Sequence, residues 1–357
     1  MHEVTGEVMG EVTNQKGAGA RVADTRRVVV PAVSAMEAPP LGGVVHRLAG
    51  ETMGTTWSAS FVAPPRCALE PLQLGMQAAL DAVVAEMSPW EHGSAISRFN
   101  RAAPCTWHAL SPAFFAVLAH GLLLAEASGG ACDPSVGALV DLWGFGPRRR
   151  GGERAFAVPA REDIARALAC SGWQRLELDA PARRVRQPGG LRLDLSGIAK
   201  GFGVDEGARF LQRSGIESFL VEVGGELRGE GLKPDGQPWW VALEVPGAEV
   251  PQPVVALHGL SVATSGDYRR SFEHGGQRYS HTIDPRDGWP IRHGVASVTV
   301  LHRDCMAADA LSTALTVMGV AAGLAFAREQ GVAALFVSRT EAGFEEHTSD
   351  ALAAMLA

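Results

Sequence analysis

The spacing of apolar and polar positions divides the chain into strands and helices before any other feature is considered. "HRLAGETMGTTWSASFV" (His46 to Val62) alternates as two strands around a glycine turn. "LQLGMQAALDAVVAEMS" (Leu72 to Ser88) has helical spacing and stops before Pro89. "SPAFFAVLAHGLLLAEAS" predicts a second helix, with Ser111-Pro112 as cap and first-turn residues and Gly129-Gly130 as its stop. "RLELD" and "RVRQPGGLRLDLSG" read as strands, and "AKGFGVDEGARFLQRSG" as the helix after them. "FLVEVGGELRGEG" and "WWVALEV" follow as strands, separated by the turn "KPDGQP". "SVATSGDYRRSFEHGGQRYSHTID" continues the β pattern with an "HGG" turn between hairpin arms, and "ASVTVLH" and "AALFVSR" are later strands.

Hairpins mixed with packed helices predict an α+β fold with mixed and antiparallel sheets, rather than a regular doubly wound sheet. Residues 1–44 lack periodicity and end in "EAPPLGG", so they are expected to be a disordered leader ahead of one domain over 45–357.

Between the last two strands, "AADALSTALTVMG" (Ala307 to Gly319) is helical and apolar nearly all the way round, the pattern of a buried segment. It nevertheless carries Asp309. The residues one turn to either side, Cys305, Met306, Ser312 and Thr313, include no cation. A buried carboxylate is normally paired, neutralised or bound to a metal, so this one requires a partner from elsewhere.

Composition narrows the classes. The 357 residues are 46% hydrophobic and 20% charged, as in a globular protein with ample core. A net charge of −7 gives no basic surface for nucleic acid. Lysine occurs only at Lys16, Lys200 and Lys233. Five scattered cysteines, with no C-x-x-C, form neither a disulfide framework nor a zinc site. No run reaches the roughly 18 apolar residues of a membrane helix. "TRRVVVPAVSAMEA" is interrupted by Pro31 and begins too far in for a clear export signal, so a cytoplasmic location is expected.

Several short motifs carry chemistry. In "DLSGIAKGFGVDEG", Gly197, Gly201 and Gly203 surround a helix start, with Ser196 as candidate N-cap and Lys200 beside it. This is either an anion site built from backbone N–H groups or simply a tight strand-to-helix turn. In "MSPWEHGSAISRFN", Trp90 could stack on a flat heteroaromatic ligand or fill a core gap. In "CDPSVGALVDLWGFGP", Asp133-Pro134 suits an Asx turn. His281 and Asp284, three apart on a strand, need not face each other.

Taken together and in order, these blocks with "ETMGTTW", "VEVGGELRGEG", "ATSGDYRRSF" and "RYSHTIDPRDGWP" resemble the FAD:protein FMN transferase family (ApbE, once called thiamine biosynthesis lipoproteins). The resemblance runs from Glu51 to Gly319. It implies Mg²⁺ held by Asp309, Thr313 and the backbone carbonyl of Ala199, a set that suits a hard cation taking few protein oxygens. It implies FAD as substrate, contacted by Met53, Trp90, Ala131, Cys132, Asp133, Ser196, Lys200, Phe202, Ser280 and Ile283. The implied reaction passes FMN to a Ser or Thr hydroxyl of an acceptor flavoprotein domain in a redox complex and releases AMP, with His281 as candidate base. The rival readings are an FAD pyrophosphatase, in which water replaces the acceptor, and a flavin carrier without turnover. Trp90 stands where the family commonly has Tyr, and Glu222 and Glu226 where it often has Asn and Asp. The export signal usual in exported members is missing.

Overall fold

Each predicted hairpin forms around its glycine turn. A computed structural model of the chain describes residues 27–30, 42–147, 158–246, 252–267, 271–341 and 343–356. Its strands are β1 (Val28–Val29), β2 (Val44–Thr52), β3 (Thr55–Ala63), β4 (Trp107–Ala109), β5 (Glu177–Asp179), β6 (Arg184–Arg186), β7 (Phe219–Val223) and β8 (Glu226–Glu230). These are followed by β9 (Trp239–Ala242), β10 (Val254–Leu257), β11 (Leu260–Gly266), β12 (Ser271–His274), β13 (Gln277–Ser280), β14 (Val295–His302), β15 (Ala333–Thr340) and β16 (Gly343–Thr348). The helices are α1 (Leu69–Met87), α2 (Ala95–Asn100), α3 (Pro112–Ala127), α4 (Gly137–Leu142), α5 (Arg161–Cys170), α6 (Ala199–Arg213), α7 (Cys305–Gln330) and α8 (Asp350–Ala353).

Eight strands form one sheet in the order β16-β15-β14-β11-β8-β7-β3-β2, every neighbouring pair antiparallel. A smaller sheet, β1-β10-β9, joins one parallel and one antiparallel pair. Mixed and antiparallel sheets with packed helices are the architecture the sequence predicts. Successive residues of the central strands β14 and β15 point to opposite faces, and both faces carry buried residues. Ala263, Val298, Val300, Ala334 and Phe336 join the core shared with α3, α6 and α7. Their neighbours Val262, Leu301, Leu335 and Val337 pack with Val29, Trp239, Val255 and Leu257 from the smaller sheet. The large sheet is therefore covered on both faces, so both sets of alternating residues are buried.

Local chemistry sets the turns and ends. Met53 and Gly54 have φ of 50° and 72° in the two-residue β2–β3 turn, so Met53 occupies a left-handed position that a non-glycine residue adopts only at a cost. Ser111 caps α3 by accepting from Phe114 N–H, with Pro112 in the first turn, as predicted. α7 extends past the predicted Gly319. That residue has φ 77° and ψ 176°, a kink after which the helix resumes to Gln330. α7 is long and apolar enough to cross a membrane by length and composition, a property the sequence-based reading assigned to no segment. It serves instead as a core helix, most of its apolar stretch covered by the sheet and α6.

The expected leader falls mainly outside the described residues, but its described part is ordered. β1 pairs with β10, Val30 N–H donates to Met355, and Arg27 makes a bidentate ion pair with Glu346. Residues 27–30 are thus docked, because Val29 fills the core between the two sheets. β2 begins at Val44, inside the predicted leader.

α6 and α7 cross antiparallel at their first turns. Asp205, wholly buried on α6, pairs with Arg228 at 2.7 Å and accepts from the first N–H groups of α7, Cys305 at 3.2 Å and Met306 at 3.0 Å. It thereby caps a helix that is not its own. Asp205→Ala should strand Arg228 and uncap α7. Stability should fall by about 3–5 kcal/mol, read as a lower urea midpoint at unchanged m-value.

Candidate functional site

The crossing of α6 and α7 also supplies Asp309 with its partners. Asp309 is 3% exposed and its Oδ2 accepts from Gly201 N–H at 2.9 Å, capping α6 as Asp205 caps α7. The backbones meet closely because glycine stands at each contact. A Cβ on Gly201 would lie 2.3 Å from the Cys305 carbonyl oxygen and 2.8 Å from Asp309 Cβ. A Cβ on Gly197 would lie 2.8 Å from Thr313 Oγ1. Asp309 and Thr313, one turn apart, therefore share the face of α7 that meets the α6 entry turn.

The cation missing from Asp309's own helix comes from α6. Burial raises the Asp309 carboxyl above its ordinary range, while Lys200 and the Gly201 N–H oppose the shift. Lys200 forms an ion pair with Glu226 of β8. Burial would lower the Lys200 ammonium, but Asp309 and Glu226 outweigh it and hold the group above its usual value. Glu226 is 2% exposed, and burial lifts it to about 7 against the pull of Lys200, with Asp309 adding to the rise. Its Oε2 is buried and has no hydrogen-bond partner among the described residues. Two buried carboxylates thus share one ammonium.

A cavity opens beside this crossing. Ala131, Cys132, Asp133, Ile283 and Thr313, all predicted from sequence, line it with Gly197 and Ile198. Asp133 makes the expected Asx turn: Oδ1 accepts from Ser135 N–H at 2.7 Å, and Oδ2 from Trp173 N–H at 3.0 Å. Burial raises the Asp133 carboxyl and these hydrogen bonds oppose the rise. Burial, with Asp133 and Asp309 adding to it, pushes the Cys132 thiol up to about 12, so it stays protonated at neutral pH.

None of the remaining predicted residues lines this cavity. Ala199 and Lys200 begin α6. Phe202 is 4% exposed in the main core, and Met53, beside Gly203, packs against the same core. Ser280 is buried and its Oγ accepts from Thr282 N–H at 3.1 Å. His281 is half-buried, edge-on to Phe145 at 6.1 Å between ring centroids. The Asp284 carboxylate is held by Arg286, which donates to its two oxygens at 2.8 and 2.7 Å. Trp90 is 56% exposed, which removes the core-filling reading and leaves an indole face open to a ligand. Tyr268 to Arg270 of the "SGDYRRS" motif lie outside the described residues.

One expectation is corrected. Ser196 does not cap α6: the N-cap is Ile198, without a side-chain cap, and Ser196 is exposed two residues earlier. The N–H groups of Ile198 and Ala199 donate to Leu195 O, and that of Gly201 to Asp309. The turn is therefore not the open N–H cradle its glycines suggest, because a carboxylate from α7 already occupies it. Sequence reasoning missed Asp205 and Ser265, and noted Glu226 only as a departure. For Glu226 no local signal existed: its strand ELRGE is rich in charge, and Lys233 lies nearer in sequence than its actual partner Lys200.

Known proteins resemble the chain over most of its length. The model of the ApbE family matches residues 53–336. A protein named FAD:protein FMN transferase from Vibrio cholerae is 41% identical over 308 residues, 85% of this chain and 90% of that protein. One of the same name from Haemophilus influenzae is 37% identical, over 86% of this chain and 90% of its own. The apo flavinyl transferase ApbE of Pseudomonas stutzeri superposes with a TM-score of 0.81 at 40% identity, over 88% of this chain and 97% of that one.

The Glu226 carboxyl binds its proton more tightly in the fold, at about 7, than at its ordinary 4.5. Its contribution to stability is therefore full below the ordinary value and lost as pH rises through that window. With divalent ions chelated, melting temperature should fall between about pH 5 and about pH 7, and Glu226→Gln should flatten that segment. An unchanged slope in the variant would reject the assignment.

Proposed function

The chain belongs to the ApbE family, and from that membership we propose that it transfers FMN from FAD to a Ser or Thr hydroxyl of an acceptor flavoprotein, a redox-complex subunit, releasing AMP. The observation that carries this reading is the Asp309–Thr313 face of α7, closed by glycine backbone at Gly197 and Gly201 beside a cavity. Relatives named for this activity share most of the chain.

The donor set fits Mg²⁺. Asp309 is a buried carboxylate that its single neighbouring ammonium must share with Glu226, and Thr313 adds a neutral oxygen one turn away. A Cβ at position 197 would fill the space in front of the Thr313 hydroxyl. Asp309, Thr313 and the Ala199 carbonyl would hold the ion, with the remaining positions left to water and phosphate oxygens. When bound, the ion supplies charge neutralisation at the diphosphate, the main demand of phosphoryl transfer.

The chain's own residues do the rest. Cys132, Asp133 and Ile283 line the cavity that would take the flavin nucleotide, and the exposed Trp90 face would stack on its ring. Lys200 adds positive charge at the entry turn and remains 33% exposed towards a ligand. His281 accepts the proton of the acceptor hydroxyl as its oxygen bonds to the FMN phosphorus and the bond to AMP breaks. The nucleophile belongs to the acceptor, so the chain needs none of its own.

The test incubates the protein with FAD and a candidate acceptor domain, with and without Mg²⁺. A denaturing gel is viewed under ultraviolet light, and AMP and free FMN are quantified. A fluorescent acceptor band with equivalent AMP is expected. AMP with free FMN and no band would indicate a pyrophosphatase, and intact FAD throughout a carrier. Asp309→Ala should abolish Mg²⁺-dependent turnover while the protein stays folded, and retained turnover would reject the metal site. Trp90→Ala should raise the FAD dissociation constant about tenfold, the order of a lost stacking partner; an unchanged constant would reject stacking.

A further inference from the structure

Behind the Asp309–Thr313 face runs a chain of hydroxyls. Thr313 Oγ1 lies 3.1 Å from Ser265 Oγ, and Ser265 Oγ lies 2.8 Å from Ser312 Oγ. Ser312 Oγ donates to the main-chain carbonyl of Asp309 at 2.8 Å. The direction of every bond follows from the end of the chain. A carbonyl oxygen only accepts, and each hydroxyl has one proton. Ser312 commits its proton to Asp309, so Ser265 must donate to Ser312, and Thr313 must donate to Ser265.

We propose that Ser265 is a positioning residue for the divalent-ion site, fixing the Thr313 hydroxyl with its proton turned back towards the sheet and its lone pairs facing the entry turn of α6. This rests on the reading of Asp309 and Thr313 as metal ligands given above. A hydroxyl bound to a cation coordinates through oxygen and needs an acceptor for its proton, and Ser265 is that acceptor. Partners of this kind set the orientation of metal ligands in general.

The placement follows from the fold. Strand alternation on β11 sends Ala263 into the core shared with the helices, and Ser265, two residues on, points the same way. Ser312 is fully buried on α7, so the relay is closed to solvent at its middle. The relay begins on one ligand residue and ends on the main chain of the other. The sheet thus fixes the orientation of the Thr313 hydroxyl through one serine.

The test measures Mn²⁺ affinity directly, from the EPR signal of the free ion, in protein whose fold is checked by thermal melting. Ser265→Ala should weaken Mn²⁺ binding about tenfold. In Thr313→Val, where no hydroxyl remains to orient, adding Ser265→Ala should cost nothing further. Wild-type affinity in Ser265→Ala, or full additivity in the double variant, would overturn the proposal. Should Ser265→Ala fail to fold, Ser312→Ala breaks the same relay from the helix side and should also weaken binding; unchanged affinity there overturns the proposal equally. Asp309→Ala separates the two levels. If it leaves Mn²⁺ affinity intact, the metal reading falls and the relay with it. If it abolishes binding while Ser265→Ala does not weaken it, only the relay falls.

Discussion

The antiparallel crossing of α6 and α7 is the constraint on which the rest of the site depends. Each helix lends the other a carboxylate: Asp205 caps the first turn of α7, and Asp309 the first turn of α6. Two helix starts, each with orphan N–H groups and a positive dipole end, are thereby buried face to face with the Gly201, Cys305 and Met306 N–H groups satisfied across the contact. The exchange works only at backbone distance, which is why Gly201 sits against the Cys305 carbonyl. Once the crossing is fixed, Thr313, Gly197 and Lys200 have no freedom to be elsewhere, and the cavity wall they help to form is set by backbone geometry rather than by loop conformation.

This arrangement also explains the electrostatics. Neither Asp309 nor Glu226 could stay buried as an ordinary surface acid, and Lys200 between them is held charged by both. The result is one partly exposed positive charge facing two buried carboxyl groups, with a polar atom of Glu226 left over. Such an excess of acceptors suits a site meant to receive further positive charge, and a purely structural ion pair would have no use for it.

Much of this was legible in the sequence and some was not, for physical reasons. The helices α1, α3 and α6 and the hairpins β2–β3, β7–β8 and β12–β13 follow from local spacing and turn residues, which depend on near neighbours alone. The partner of Asp309 was invisible to that logic. A search one turn along its own helix finds no cation, because Gly201 and Lys200 lie more than a hundred residues away in sequence and meet it only through the crossing. Ser196 looked like a cap for the same reason: nothing local reveals that an aspartate from another helix takes the cap's place. Gly319 correctly marked the end of a straight helical segment, but the sheet beneath lets the chain resume helix beyond the kink. β1 was hidden because two valines beside a low-complexity stretch carry no periodicity of their own.

That docked strand has a consequence for the order in which the molecule assembles. The Arg27–Glu346 pair joins residues 319 apart, and β1 pairs with the smaller sheet while Val29 packs between the two sheets, on the side of the large sheet away from α6 and α7. Closing so long a loop offers little gain until both ends are already shaped, so this contact forms late and opens early. Opening there exposes the outer core without disturbing the helix crossing. The docked strand and the candidate site are therefore separated from each other by the thickness of one sheet.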